Sequence, residues 1–195
     1  MSVTGIILAG GKSSRMGTDK AQMLLNGKPL IEYIINTFQN AGIQKIIINT
    51  NKKADFLKYN LPICEDIYED KGPISGVYSS LLMSTTDENV IIPCDSPFVS
   101  SKIILDLIEQ NRQNKISFLR FKNNYYPLIG AYKKETNILL KEMIENNDLK
   151  MRNLILNNGT SILDLTNNYK DVNKIEIELA NLNTMQELDL YENRM

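Results

Sequence analysis

The sequence predicts an α/β fold, a mostly parallel central sheet with helices on both faces, in one domain spanning residues 1–195. Two observations carry this. Continuous apolar runs such as Val3–Leu8 and Lys45–Asn49 suit strands buried on both faces. Segments with apolar residues at helical spacing alternate with those runs along the chain. With 195 residues, 43% of them hydrophobic, there is enough apolar material for one real core, and no repeat or linker divides it.

The elements follow in order. Val3–Leu8 is a strand that ends in glycines. Pro29 opens a helix in the first-turn position that proline favours, with Leu30, Ile31, Ile34, Ile35, Phe38 and Ala41 on its inner face and Gly42 at its end. Lys45–Asn49 is a second strand and Ile63–Cys64 a short third. Residues 74–83 form a helix after Gly72-Pro73, and residues 90–93 a strand running into Cys94-Asp95. Ser100 or Ser101 caps a helix whose apolar face is Ile103, Ile104, Leu107 and Ile108. Ile116–Phe121 and residues 125–132 read as strands, and residues 135–146 and 151–158 as helices. Thr184 and Glu187 have the spacing of a capping box before a last helix.

Composition excludes whole classes of chemistry. There is no histidine, so a Ser-His-Asp triad, a Cys-His nucleophile and a His-ligated zinc or iron centre are impossible. Two cysteines, Cys64 and Cys94, are too few for a four-cysteine metal site, and a reducing cytoplasm is the expected location. The net charge of -1 argues against a strongly basic nucleic-acid binder. No stretch approaches the ~20 apolar residues of a membrane span. An enzyme of this composition works with carboxylates, Lys, Arg, hydroxyls, backbone amides and a hard metal.

In such sheets ligands bind beyond the carboxyl ends of the strands. The segments after Leu8, Ile48, Cys64 and Ile92 are therefore the places to look. The strongest is LAGGKSSRMGTDK, residues 8–20. Glycines let a backbone approach a phosphate, and Lys12, Arg15 and Lys20 can neutralise its charge. A Walker A loop would need its first glycine at Ile6, and a dinucleotide fingerprint would need one at Lys12, so neither applies. Asp95, just past a buried strand, suits either a turn cap or a Mg2+ ligand. Asp66 belongs to an acidic run, Glu65, Asp66, Glu69 and Asp70, and Asn49 ends a strand; both also suit ordinary turns.

Leu8-Ala9-Gly10-Gly11, then Arg15-Met16-Gly17, then Asp19-Lys20, resembles the signature of the molybdenum cofactor guanylyltransferases, nucleotidyltransferases with a Rossmann-like fold. Further pieces agree with that family in order. They are Leu25-Asn26-Gly27-Lys28-Pro29-Leu30, Ile48-Asn49-Thr50-Asn51, Glu65-Asp66 with Gly72-Pro73-Ile74-Ser75-Gly76, and Pro93-Cys94-Asp95-Ser96-Pro97. Pro127-Leu128-Ile129-Gly130-Ala131-Tyr132 and Asn181-Leu182-Asn183-Thr184 complete the series, which covers nearly the whole chain. A sister group that transfers CMP carries Ala-Ala-Gly where this chain has Ala9-Gly10-Gly11, which favours guanylyl transfer.

The resemblance implies transfer of GMP from GTP to the phosphate of molybdenum-bearing molybdopterin, with release of pyrophosphate. It implies catalytic roles for Arg15, Lys20 and Asp95, with Mg2+ on Asp95. It implies GTP contacts from Leu8, Ala9, Gly10, Lys20, Asn49, Asp66 and Asp95. Guanine offers N1–H and N2–H donors that one carboxylate can accept together, which gives Asp66 a chemical rationale. Asn181 and Asn183 are acceptor-binding candidates or helix-capping residues, and Lys133, Lys150 and Arg152 are further cations that could meet the pterin phosphate. The N-terminal half would bind GTP and Mg2+, and the C-terminal half mainly the pterin. Molybdopterin-delivering proteins and molybdoenzyme chaperones are implied partners. Nucleic acid and membrane are not. Two rival readings are a cytidylyltransferase or other nucleotidyltransferase on a related phosphate acceptor, and a GTP-binding cofactor chaperone without turnover.

Overall fold

The structure, a computed structural model, describes residues 2–10, 20–169, 171–182, 184, 186, 187 and 191, with backbone alone at 20, 167 and 168. Val3–Leu8 (β1) leads to a small hairpin of Leu24–Leu25 (β2) and Lys28–Pro29 (β3), then helix Leu30–Asn40 (α1) and Lys45–Asn49 (β4). A 3₁₀ segment Lys53–Tyr59 precedes Ile63–Cys64 (β5), helix Pro73–Met83 (α2), Glu88–Pro93 (β6) and helix Ser101–Asn111 (α3). Ile116–Phe121 (β7), Asn124–Lys133 (β8) and helix Thr136–Glu145 (α4) follow. Next come a 3₁₀ segment Met151–Leu156, Thr160–Asp164 (β9), and short helices Leu165–Asn168 (α5) and Val172–Glu178 (α6).

Seven strands make one sheet in the order β5-β4-β1-β6-β8-β7-β9. All run the same way except β8, which is antiparallel to both β6 and β7. Alternate residues of the central strands feed two cores. Ile7, Ile46, Ile48, Val90 and Ile92 pack with Ile31, Ile34 and Phe38 of α1 and Ile103, Ile104 and Leu107 of α3. Ile6, Leu8, Ile47 and Ile91 pack with Ile74, Val77 and Leu81 of α2 and Leu140 and Ile144 of α4. Burial on both faces is why these strands read as unbroken apolar runs. Gly5 lets α1 settle on the sheet, since a Cβ there would lie 2.7 Å from the Phe38 ring.

The strands and helices expected up to residue 146 are present. The 3₁₀ segment Lys53–Tyr59 and helices α5 and α6 were not expected, and the last helix lies largely outside the described residues. Further differences follow. Pro29 ends the β2–β3 hairpin and precedes α1, instead of occupying its first turn. Asn26 and Gly27 both take positive φ (49° and 72°), the Asn-Gly hairpin turn that residues 24–29 encode. Residues 151–158 hold a 3₁₀ helix, Met151–Leu156, where an α-helix was expected. β9 was not expected; it pairs parallel to β7 at the sheet's edge. The capping box forms: the Thr184 amide donates to Glu187 Oε2 (2.9 Å) and the Glu187 amide to Thr184 Oγ1 (3.1 Å). Ser100, not Ser101, caps α3, accepting from the Ile103 amide. Among the described residues no helix is long and apolar enough to cross a membrane.

Candidate active site

The carboxyl ends of β5, β4, β1 and β6 share one sheet edge, because Asn49 sits opposite Cys64 and Leu8 lies between Asn49 and Pro93. The ladder continues one residue past β1: the Ala9 amide donates to Asn49 O (2.8 Å) and the Cys94 amide to Leu8 O (2.9 Å). The chain then leaves the sheet at Gly10, which is exposed. Gly10 does not have positive φ, and a Cβ there would meet Asn49 Oδ1 only at an ordinary 3.8 Å. Among the described residues nothing near Gly10 demands a glycine, and a glycine lets a backbone come close to a ligand.

Asn49 is buried at the end of β4, and its Nδ2 donates to Cys64 O (3.2 Å) and to Asp66 Oδ1 (2.9 Å). Asn51 holds the other side of the same carboxylate. Its Nδ2 donates to Asp66 Oδ2 (3.3 Å), and its Oδ1 accepts from the Asp66 amide (2.8 Å). Helix α2 packs directly behind. A Cβ on Gly76 would lie 2.3 Å from Asn49 Oδ1 and 3.4 Å from Asp66 Oδ1. Ser79 and Ser75 of α2 accept from the amides of Ile67 (2.9 Å) and Tyr68 (3.1 Å), fixing the loop that carries Asp66. Cys64 ends β5, and burial pushes its thiol above the ordinary pKa, which favours the protonated form.

Asp95 is half-buried in the turn after β6, and its carbonyl accepts from the Leu182 amide (2.8 Å). Its neighbour Ser96, fully buried, donates from Oγ to Asn181 Oδ1 (2.8 Å). The C-terminal segment thus clasps the turn on both sides. Among the described residues no three His, Cys, Asp or Glu side chains cluster as a metal cage. One hard carboxylate oxygen at a strand end fits Mg2+, which is commonly held by one or two carboxylates together with substrate phosphates.

The direction of β8 decides which C-terminal residues reach this edge. Arg120, next to last in β7, donates from Nε to Asp164 Oδ2 (3.2 Å) at the end of β9, with a second, shorter contact from the same guanidinium. Tyr125, second in β8 and paired with Arg120, carries the Arg152 guanidinium 5.3 Å over its ring. Lys133 lies at the opposite end of β8, tied to Glu88 (2.8 Å) and Asp87 (3.5 Å). An antiparallel β8 therefore removes Lys133 from the site. Lys12, Arg15 and Asn183 lie outside the described residues, as does the side chain of Lys20, whose backbone opens a 3₁₀ turn at Lys20–Gln22.

Asn49, Asp66 and Asp95, expected from the sequence, are brought to one edge. Sequence reasoning assigned no individual role to Asn51, Ser75, Gly76 or Ser79, which the structure sets around Asp66, nor to Arg120 at the same sheet edge. The run Ser75-Gly76 with Ser79-Ser80 carried a signal, since small residues on a buried helix permit close approach, and all four are buried.

Comparison with known proteins agrees with this geometry. Residues 5–160 match the family model described as the MobA-like NTP transferase domain. A probable molybdenum cofactor guanylyltransferase from Flavobacterium johnsoniae is 34% identical over 96% of this chain and 95% of its own. A molybdenum cofactor guanylyltransferase from Yersinia pestis is 31% identical over 99% and 96%. The crystal structure of molybdopterin-guanine dinucleotide biosynthesis protein A from Archaeoglobus fulgidus superimposes with a TM-score of 0.81 at 20% identity, covering 98% of this chain and 97% of that one. This is the same fold, and with the sequence matches it places the chain in the molybdenum cofactor guanylyltransferase family of nucleotidyltransferase enzymes.

Proposed function

We propose that the protein transfers GMP from GTP to the phosphate of molybdenum-bearing molybdopterin, giving the guanine dinucleotide form of the cofactor and pyrophosphate. The observation that carries this reading is the separation of Asp66 and Asp95. They stand at the ends of β5 and β6, with β4 and β1 between them. Three strand spacings separate the ends of β5 and β6 by roughly 14 Å, and Gly10 follows β1, which lies between them. A nucleoside triphosphate laid across that edge has its base at Asp66 and its phosphates at Asp95.

Each residue then has a task. Asp66 accepts from guanine N1–H and N2–H, and Asn49 holds it there. Leu8, Ala9 and Gly10 present backbone to base and ribose. Lys20 and Arg15 bind phosphate oxygens and stabilise the charge that develops as pyrophosphate leaves. A hard divalent cation on Asp95, read here as Mg2+, supplies further charge neutralisation when bound. The acceptor phosphate is already ionised and attacks the α-phosphorus in line, so no general base is required. This agrees with a chain that has no histidine. The acceptor enters from the C-terminal half, where Arg120, Arg152 and Asn181 border the same edge. The N-terminal half serves GTP and the metal. We place the enzyme in the cytoplasm, taking its acceptor from molybdopterin-delivering proteins and passing its product to molybdoenzyme chaperones.

The test is reconstitution with molybdenum-loaded molybdopterin and each of the four NTPs, with detection of dinucleotide and pyrophosphate. Product is expected with GTP alone and is expected to be lost in Asp95→Asn. Product with CTP would make the protein a cytidylyltransferase. GTP binding with no pyrophosphate would make it a cofactor chaperone.

A further inference from the structure

We infer that Asn51 is a positioning residue that sets the guanine selectivity of the site by locking the plane of the Asp66 carboxylate. The inference rests on the reading of Asp66 as the base-reading group.

The geometry begins in the backbone. The β4–β5 ladder ends where the Thr50 amide donates to Cys64 O (2.9 Å). One step further on, no strand pairing remains, and the side-chain amide of Asn51 takes its place. Oδ1 accepts from the Asp66 amide (2.8 Å) and Nδ2 donates to Asp66 Oδ2 (3.3 Å). Asn51 thus grips the main chain and the carboxylate of one residue together. Asn49 Nδ2 reaches the other carboxylate oxygen, Oδ1, at 2.9 Å.

The terminal torsion of an aspartate is broad, so one hydrogen bond leaves the carboxylate free to turn about its Cβ–Cγ bond. Two donors, one on each oxygen, fix the plane. That plane matters because accepting two parallel N–H bonds from a purine edge requires both oxygens to lie in the plane of the base. An ionised carboxylate has about four acceptor sites, so each oxygen keeps capacity for a base donor after serving one asparagine. Lys52 N, donating to Thr50 Oγ1 (3.1 Å), stiffens the turn that carries Asn51.

Inosine triphosphate, which lacks the 2-amino group of guanine, reads this out directly. Affinities of GTP and ITP are measured by calorimetry on the full chain in wild type, Asn51→Ala, Asn51→Asp and Asp66→Asn. A lost hydrogen bond to a charged group makes wild type favour GTP over ITP by roughly tenfold or more. In Asn51→Ala that ratio is expected to fall to within about threefold of unity, because GTP binding weakens while ITP binding changes little. Asn51→Asp keeps the side-chain size and the acceptor for the Asp66 amide, but sets a carboxylate oxygen against Oδ2. It is expected to lose the ratio in the same way, and it serves as the second variant should the alanine form fold poorly. A merely structural role would weaken both nucleotides together. If Asn51→Ala and Asn51→Asp keep the wild-type ratio while Asp66→Asn loses it, the role of Asn51 is overturned and that of Asp66 stands. If Asp66→Asn also keeps the ratio, both are overturned.

Discussion

The Cβ that Gly76 lacks would lie 2.3 Å from Oδ1 of Asn49. Asn49 cannot step aside without cost, because it is buried and its Nδ2 holds both Cys64 O and Asp66 Oδ1. Gly76→Ala is therefore expected to act through Asn49 on Asp66. Overpacking of this kind costs about 1–3 kcal/mol of stability. GTP affinity is expected to fall about tenfold or more, since each 1.4 kcal/mol is a factor of ten. Calorimetric titration beside thermal melts checks both. Unchanged GTP binding would show that the close approach of α2 has no bearing on the nucleotide.

Gly10 offers the contrasting case. A Cβ there finds ordinary contacts, the nearest being Asn49 Oδ1 at 3.8 Å. Gly10→Ala is expected to leave stability within about 0.5 kcal/mol and still to weaken GTP binding, because the added methyl occupies ligand space. Equal loss of stability and binding would place Gly10 with Gly76 as a packing glycine.

Ser96 and Asn181 are 85 residues apart in sequence and meet at 2.8 Å beside Asp95. Asn181 then braces the turn that carries Asp95, the proposed cation ligand. Deleting such a bond costs about 1 kcal/mol. Ser96→Ala and Asn181→Ala are each expected to raise the divalent-cation concentration needed for half-maximal activity about fivefold. The double variant is expected to add little to either. A higher KM for the acceptor in Asn181→Ala, with unchanged metal dependence, would assign this asparagine to the acceptor alone.

How much of this was legible in the sequence depended on range. β1, β4 and β6 were plain because both of their faces are buried, so residues 6–8, 46–48 and 90–92 within them are runs of apolar residues. Asp66 and Asp95 could be placed at strand ends, but position alone left them equally suited to turns, and only the family resemblance singled them out. β9 was not, because Thr160–Asp164 is a half-buried edge strand whose pairing with β7 lies 44 residues away. The Asn26-Gly27 hairpin carried its signal openly and was overlooked in favour of the proline behind it. The contacts of Gly76 and Asn51 could not have been read from local pattern. Their meaning lies in contacts with Asn49 and Asp66, made by different elements across the sheet edge.

Glu178, at the end of α6, makes the stability of the fold depend on pH in a direction opposite to most carboxylates. It is buried, and among the described residues its Oε2 has no hydrogen-bond partner. Burial raises its pKa, opposed by a hydrogen bond with Ser100 and by the charges of Lys174 and Lys102. Lys174 approaches Oε1 only to 4.0 Å. A carboxyl whose pKa is higher in the folded state binds more protons there than in the unfolded chain, so its contribution falls as pH rises. The loss begins near the ordinary glutamate value of about 4.3 and is complete once pH passes the raised native value. The remedy is a side chain that does not titrate. Relative to Glu178→Gln, wild type is expected to be at its most stable below the ordinary glutamate pKa, to lose ground as pH rises through the raised native value, and then to hold a constant difference. Denaturant melts of the two proteins across pH 4–8 give that difference directly. A gap between them that does not change with pH would mean that Glu178 titrates alike in both states, and that burial at this helix end has no electrostatic consequence.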